Sequence, residues 1–259
     1  MSYPSPLNGV LRVLNPTISI YSTPFLRAGL FEIGARSTCI SLSDSTTMLI
    51  APVPYEEESA ALVGTKDISY IVAPDIEHHM AIKSWKDKYP AAKIIGPAGL
   101  GVKKAKEGVT VDYEIPASLA DKSLTPKEIG IEDPLLEDAF RFVFMQEHSN
   151  KEVVILHIPT KTMIEADLLF NLPAAEQYSK SSTNPRTGVL QRMFNGVMTP
   201  SSSWYKHMLK ATIGEKAGAK KCLTAINEWD FTSIVPCHGD VIDTEAKETF
   251  DKVFAPFLK

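Results

Sequence analysis

The stretch from 68 to 88, ISYIVAPDIEHHMAIKSWKDK, constrains the fold of this chain more than any other. Ile68, Tyr70, Ile71, Val72 and Ala73 read as a buried strand, and a short acidic loop follows them. The pattern then predicts a helix that begins at the pair His78-His79 and stops at Tyr89-Pro90. Loops between a strand end and a helix N-terminus are where α/β proteins commonly place chemistry, because a rigid sheet holds them.

Upstream, LRVLN, ISIYS, STCISL and TTMLIAP are short apolar or alternating runs. Asn15-Pro16, Gly29, Gly34 and Ser43-Asp44 separate them, which predicts an antiparallel ribbon over 11–51. YEEESAALV after Pro54 carries its acids where a helix N-terminus favours them. Downstream, KIIGP is a further strand, so the order becomes ribbon first and then β-α-β-α. FRFVFM, KEVVILHIP and KTMIEADLLF supply three more strands, the last two joined at Pro159-Thr160. From 171 to 213 the sequence turns polar and helical, broken by Pro173, Pro185 and Pro200, and a segment this long between strands is often a lid or pocket wall. EKAGAKKCLTAINEWD predicts an amphipathic helix with Ala217, Cys222, Ala225, Ile226 and Trp229 inward. FTSIVP is a last strand, His238-Gly239-Asp240 its loop, and TEAKETFDKVFAPFL a closing helix.

Composition narrows the function classes. With 44% hydrophobic and 22% charged residues, the chain reads as an ordinary globular protein. A net charge of −4 with scattered Lys and Arg argues against a nucleic-acid partner. No apolar run approaches the roughly 18 residues of a membrane span, and MSYPSPLNGV lacks a signal-peptide pattern, so no membrane partner is expected. Cys39, Cys222 and Cys237 are odd in number and widely spaced, which points to a reducing compartment, the cytoplasm by default.

Chemistry-bearing residues gather after strands. His78 and His79, His148, Asp167 and His238 all fall at predicted strand ends, far apart in sequence. A sheet that brings those ends together would make a metal site of them, and the alternative is a set of unrelated solvated loop residues. His157, inside a strand, reads as a hydrogen-bonded core or edge histidine rather than a ligand, and His207 as an exposed helical one. Cys237 beside His238 suggests a nucleophile, against the commoner reading of a small buried hydrophobe. Ser201-Ser202-Ser203 lacks the G-x-S-x-G context of a nucleophilic serine.

With these positions marked, the chain resembles the metallo-β-lactamase-fold superfamily from roughly Arg12 to Phe257. That family has a strand ending in T-H-x-H-x-D-H, and the same slot here reads Ala73-Pro74-Asp75-Ile76-Glu77-His78-His79. A loop His followed by an Asp closing a strand corresponds to His148 and Asp167. A His-Gly after a late strand corresponds to His238-Gly239. The resemblance implies a four-layer αββα sandwich in a single domain over 1–259, with a lid-like helical insertion near 171–213. It also implies a divalent metal, zinc before iron.

Departures from the motif are specific. Pro74 and Ile76 replace the first two histidines, which removes two of the three histidines of the family's first metal site. His78 replaces the motif's Asp. The resemblance therefore implies one metal, held by His78, His79, Asp167 and His238, with His148 either joining them or standing behind them. Exchanging an Asp for a neutral His raises the site charge by one unit, which makes the ion a stronger Lewis acid. It also removes the carboxylate that orients the attacking water, a role Asp75 or Glu77 could take if they are not simply solvated loop acids. The expected activity is hydrolysis of an ester, lactone, thioester or amide by a metal-activated water, with a small-molecule substrate chosen by the lid. The alternative is a catalytically degenerate member serving as a small-molecule or protein binding module, and an iron-dependent redox enzyme is a third reading. Oligomeric state is not encoded in any of these features.

Overall fold

The computed structural model describes residues 2–213 and 217–258. The first half of the chain contributes β1 (Val10–Val13), β2 (Ile18–Thr23), a small ribbon of β3 (Leu26–Arg27) and β4 (Phe31–Glu32), β5 (Ala35–Ser41) and β6 (Thr46–Ile50). It continues through α1 (Glu57–Ala60), β7 (Asp67–Val72), α2 (Ile82–Lys88), β8 (Lys93–Pro97), α3 (Leu100–Ala105) and β9 (Tyr113–Ile115). The second half runs β10 (Ser123–Leu124), α4 (Pro134–Glu137), β11 (Phe140–Met145), β12 (Glu152–His157) and β13 (Thr162–Glu165). After it come α5 (Val189–Val197), α6 (Tyr205–Ile213), α7 (Ala217–Asn227), β14 (Ser233–Pro236) and α8 (Ala246–Leu258).

A seven-stranded sheet has the order β1-β2-β5-β6-β7-β8-β9, and a five-stranded sheet the order β10-β11-β12-β13-β14. The predicted ribbon is antiparallel from β1 to β6, and β6 to β9 are parallel, each crossover using a helix or turn. In the second sheet β13 and β14 pair in parallel, which sets the loops after both at the same edge.

The two sheets face each other. Ile18, Ile20, Met48, Val72 and Ile95 of the first meet Phe140, Phe142, Phe144, Ile155 and Val235 of the second in one buried cluster. Residues of opposite parity, such as Leu49, Ile71, Ile94, Val143, Val154 and Met163, face outward against helices instead. Trp85 and Leu100 cover the first sheet, and Ile226, Phe250 and Phe254 the second. This is the αββα sandwich expected. Burial on both faces explains why the strands read as continuous apolar runs rather than alternating ones. Phe140, Phe142 and Phe144 are fully buried, and truncating one to Ala would cost about 3–5 kcal/mol.

Three expectations need correction. The helix after β7 begins at Ile82, not at the histidine pair. The 171–213 segment is helical only in α5 and α6, its first part being bends and turns up to Gly188. In α7 Ala217 is exposed, while Gly218, Ala219, Cys222, Leu223 and Ile226 turn inward.

Candidate metal centre

The late helix start has one cause. Asp75 is fully buried at the end of β7, and its Oδ1 accepts the backbone N–H groups of Glu77 at 2.7 Å and His78 at 2.6 Å. Its Oδ2 lies 2.8 Å from His78 Nδ1, and a carboxylate can only accept there. His78 therefore carries its proton on Nδ1 and turns Nε2 away from Asp75, an assignment made from the hydrogen-bond partners. The Asp75 turn also separates the histidine pair. His79 points toward α3, its Nδ1 3.5 Å from Lys104 Nζ, while Lys104 donates to the His79 carbonyl at 3.1 Å. Burial, followed by Lys104 and Lys103, lowers the His79 pKa. His79 thus leaves the ligand set implied by the resemblance, because consecutive residues in this turn diverge too far to meet at one point.

His238 is placed by a clamp of buried polar groups. Its Nδ1–H donates to the Gly34 carbonyl at 2.7 Å, which leaves Nε2 free. Arg36, buried within β5, donates through Nη1 to the carbonyls of Pro236 at 2.5 Å and Gly239 at 2.8 Å, on either side of His238. Gln177 donates to the Cys237 carbonyl at 2.7 Å and accepts the Gly239 N–H at 2.9 Å. Gly239 has φ +91°, and a Cβ there would lie 2.1 Å from the Asn171 carbonyl oxygen, so only glycine fits.

Asp167 follows β13 by two residues. Its backbone N–H donates to Glu152 Oε2 at 3.1 Å, and the Ala166 N–H to Glu152 Oε1 at 2.6 Å. Its Oδ2 accepts a short hydrogen bond from Asn150 Nδ2, and Oδ1 is left at 3.2 Å from His238 Nε2 with no aligned donor. The loop bearing Asn150 is itself stitched to the Asp75 loop, with Ile76 N–H donating to the Asn150 carbonyl at 3.0 Å and Val153 N–H to the Pro74 carbonyl at 2.6 Å.

Three ligand atoms consequently converge. His78 Nε2 and His238 Nε2 stand 3.1 Å apart, and with Asp167 they form a set whose ligand atoms lie within 4.8 Å of one another. Both Nδ1–H groups are engaged behind the rings, so two lone pairs and an unpartnered carboxylate oxygen face one point. Such a set needs a cation, either a proton shared by the rings or a metal ion. Without a metal, burial opposes protonation of His78, but Asp75 and Asp167 overcome it and lift its pKa to about 9. Burial holds His238 neutral by lowering its pKa. For Asp167 burial also opposes ionisation, and His78 and His238 outweigh it, holding the carboxyl well below the usual range. Burial raises the pKa values of Glu152 and Glu165 well above the usual carboxylate range, and Glu152 braces the site from beneath by accepting the Ala166 and Asp167 N–H groups. Among the described residues the donor set is two imidazoles and one carboxylate, a nitrogen-rich set of the kind that Zn²⁺ or Fe²⁺ takes more readily than Mg²⁺ or Ca²⁺.

The other expected site residues lie apart from that point. Asp75 has every oxygen engaged behind His78, so it positions the ring and cannot orient a water at the ion. Glu77 pairs with Lys103 at 3.2 Å on the rim. His148 is buried, its Nδ1 accepts the Asn150 N–H at 3.3 Å, and it lies outside the converging trio. Burial lowers its pKa, so the neutral ring carries its proton on Nε2; the Asp167 carbonyl is nearby, but no acceptor is aligned with that N–H. Cys237 is buried with Sγ 3.7 Å from the Arg36 carbonyl, and burial raises its pKa well above the ordinary value, which removes the nucleophile reading. His157 is the expected core histidine, bonded to Thr160 Oγ1 at 2.7 Å. His207 is exposed against Trp204. Tyr205 is buried and accepts a short hydrogen bond from the Phe170 N–H.

Two cavities flank Asp167 and Asn150. One, of about 270 Å³, contains His78 and His238 and is walled by Tyr3, Phe25, Ile33 and Met80. The other, of about 280 Å³, is walled by His148, Phe31, Phe170, Phe194, Met198 and Leu209. Arg27 of the β3–β4 ribbon lines both. The ribbon is fastened to α5, since Gln191 accepts the Glu32 N–H at 2.9 Å and donates to its carbonyl at 3.1 Å, and Phe31 stacks on Phe194 at 4.2 Å.

No protein-family model matches this sequence, and no curated protein sequence matches it. Solved structures do. A metallo-β-lactamase from Hirschia baltica superposes with a TM-score of 0.59 at 8% identity, covering 95% of this chain and 97% of its own. One from Pontibacter korlensis gives 0.58 at 10% identity, covering 95% and 99%. The FIM-1 enzyme of Pseudomonas aeruginosa, in its mono-zinc form, gives 0.58 at 9% identity, covering 96% and 94%. Together with the two sheets, their order and the loops that converge at one edge, these likenesses establish that the chain has the metallo-β-lactamase fold.

Proposed function

We propose that this chain is a hydrolase that uses one divalent metal ion, zinc before iron, on a small-molecule ester, lactone, thioester or amide with an apolar side. The observation that carries the reading is the convergence of His78 Nε2, His238 Nε2 and Asp167 Oδ1, with the back of each ligand already engaged. Those three residues would hold the ion. An ion bound there supplies Lewis-acid activation of water and of a carbonyl oxygen.

The rest of the chemistry belongs to the chain. Asp75 and the Gly34 carbonyl fix both imidazole tautomers, and Glu152 and Asn150 fix Asp167. Phe25 and Phe170 lie 6.2 and 4.7 Å from the His238 ring and keep bulk water from its flanks. His148 lines the second cavity, with its Nε2–H buried behind that wall and without an aligned acceptor. The apolar lining of that cavity, beneath α5 and α6 acting as a lid, favours a substrate whose acyl or aryl part is uncharged. Two tests apply together, elemental analysis of protein purified without chelator and turnover of nitrophenyl esters of increasing acyl length. About one metal per chain, with kcat/KM rising with acyl length, supports the reading; absence of stoichiometric metal sinks it.

A second reading rests on a different observation. Pro74 and Ile76 stand where two further ligands would be needed for a two-metal centre, which suits a member that binds a small molecule without turning it over. Metal-dependent turnover of any carbonyl substrate would exclude that reading.

A further inference from the structure

Helix α5 is built inside out. Its inward residues are Gln191 and Asn195, hydrogen-bonded to the Glu32 backbone, to each other at 2.8 Å and to the Pro185 carbonyl at 2.7 Å. Its apolar residues Val189, Leu190 and Met193 are 77%, 59% and 66% exposed. Positions i, i+1 and i+4 share one side of a helix, so the three form a continuous apolar strip facing solvent. Leu30 at the tip of the adjoining ribbon, and Trp204 and Met208 at the start of α6, are exposed as well. An isolated exposed hydrophobe needs no account, but a strip made by turning a helix over does.

Charge says what covers it. The segments 26–31 and 177–213, which carry this face, contain no Asp or Glu, although the chain as a whole is at −4. Arg27, Arg186, Arg192 and Lys206 are all exposed on them. A two-fold dimer through this face would set like charges together, whereas an anionic lipid surface would meet both the apolar strip and its basic flanks. The face is also continuous with the second cavity, because Met208 is exposed yet lines it, and Arg27 belongs to both.

We propose that the outer face of α5, the α6 N-terminus and the ribbon tip rest on an anionic lipid surface, so that the cavity beneath opens onto lipid. The sequence held no spanning segment, and no helix among the described residues is long and apolar enough to cross a membrane. A surface that lies on lipid needs neither. The inference does not depend on the metal, since none of these residues belongs to the ligand set.

The test is flotation of the whole chain with phosphatidylcholine vesicles and with vesicles half phosphatidylglycerol. Binding should be about tenfold or more stronger to the anionic vesicles and should weaken with salt. Trp85 and Trp229 are buried, so a blue shift on binding reports Trp204 and should vanish in Trp204→Phe. Leu190→Ser with Met193→Ser should lose at least about tenfold in binding while melting as wild type, because both side chains are exposed. Val102→Ser, an exposed apolar residue on α3, should bind as wild type. Equal binding to both vesicle types, no binding to either, or full binding by the double variant would overturn the proposal. So would a dimer that the double variant dissociates in the absence of lipid binding.

Discussion

Asp75→Asn isolates the device that prepares the metal site. The amide keeps an oxygen for the Glu77 and His78 N–H groups, but it sets an NH₂ against His78 Nδ1, 2.8 Å away in the wild type. Two donors cannot face each other, so His78 moves its proton to Nε2, onto the atom that should bind the ion. Removing such a back-side partner typically weakens metal binding by about 10–100-fold. A second effect runs the other way. Wild-type His78 without metal has a pKa of about 9, so at pH 7 an ion must displace a proton. That competition costs about 100-fold in apparent affinity at pH 7 and is gone above pH 9. Losing the Asp75 charge lowers the His78 pKa and removes much of that competition. Wild-type affinity should therefore climb about 100-fold from pH 7 to pH 9, while the variant's changes little and lies about 10–100-fold below wild type at pH 9. Chelator-competition titration with Zn²⁺ at both pH values reads the two slopes. Parallel slopes, with affinities at pH 9 within about twofold of each other, would refute the reasoning.

Other consequences follow from the same geometry. His79→Ala should retain the metal and His78→Ala should lose it, as elemental analysis will show, because only His78 faces Asp167 and His238. Arg36→Lys cannot serve the Pro236 and Gly239 carbonyls, Ser22 and Glu176 together; urea unfolding should show a loss of about 3 kcal/mol, and the loosened His238 loop a weaker metal affinity. Burial lowers the His157 pKa to about 4, below its unfolded value of about 6.5. The unfolded state then binds the extra proton between those values, so His157 adds an acid-side loss of up to about 3 kcal/mol as pH falls from 6.5 to 4. His157→Asn, which keeps a donor for Thr160, should flatten that part of the stability–pH profile measured by denaturant melts; an unchanged profile would contradict it.

The fold was legible wherever burial on both faces left continuous apolar runs, as in FRFVFM and KEVVILHIP, and wherever residues marked strand ends. His78, Asp167 and His238 come from three separate loops, and their grouping was readable only through motif order. His79 adjoins His78 in sequence but not in direction; the buried Asp75 carboxylate, which turns the backbone and splits the pair, looks in sequence like any loop acid. The second layer of the site was hidden for a related reason. Arg36, Glu152 and Glu165 are ionisable residues within strands, and only their burial tells them from solvated edge residues. The acid of TMIEAD and the arginine of ARSTCIS interrupt otherwise buried strands, which is the signal that would have found them. α5 shows the converse, a helix whose apolar side faces out and whose buried side is Gln191 and Asn195.

The most direct test of the central claim is the metal content of the chain purified without chelator, beside Asp167→Asn and His238→Ala, each checked for an unchanged circular-dichroism spectrum. A three-ligand centre requires about one equivalent of zinc or iron in the wild type and less than about a tenth of that in either variant. Folded wild type carrying no stoichiometric metal, or variants retaining it in full, would contradict the assignment of His78, Asp167 and His238 as ligands.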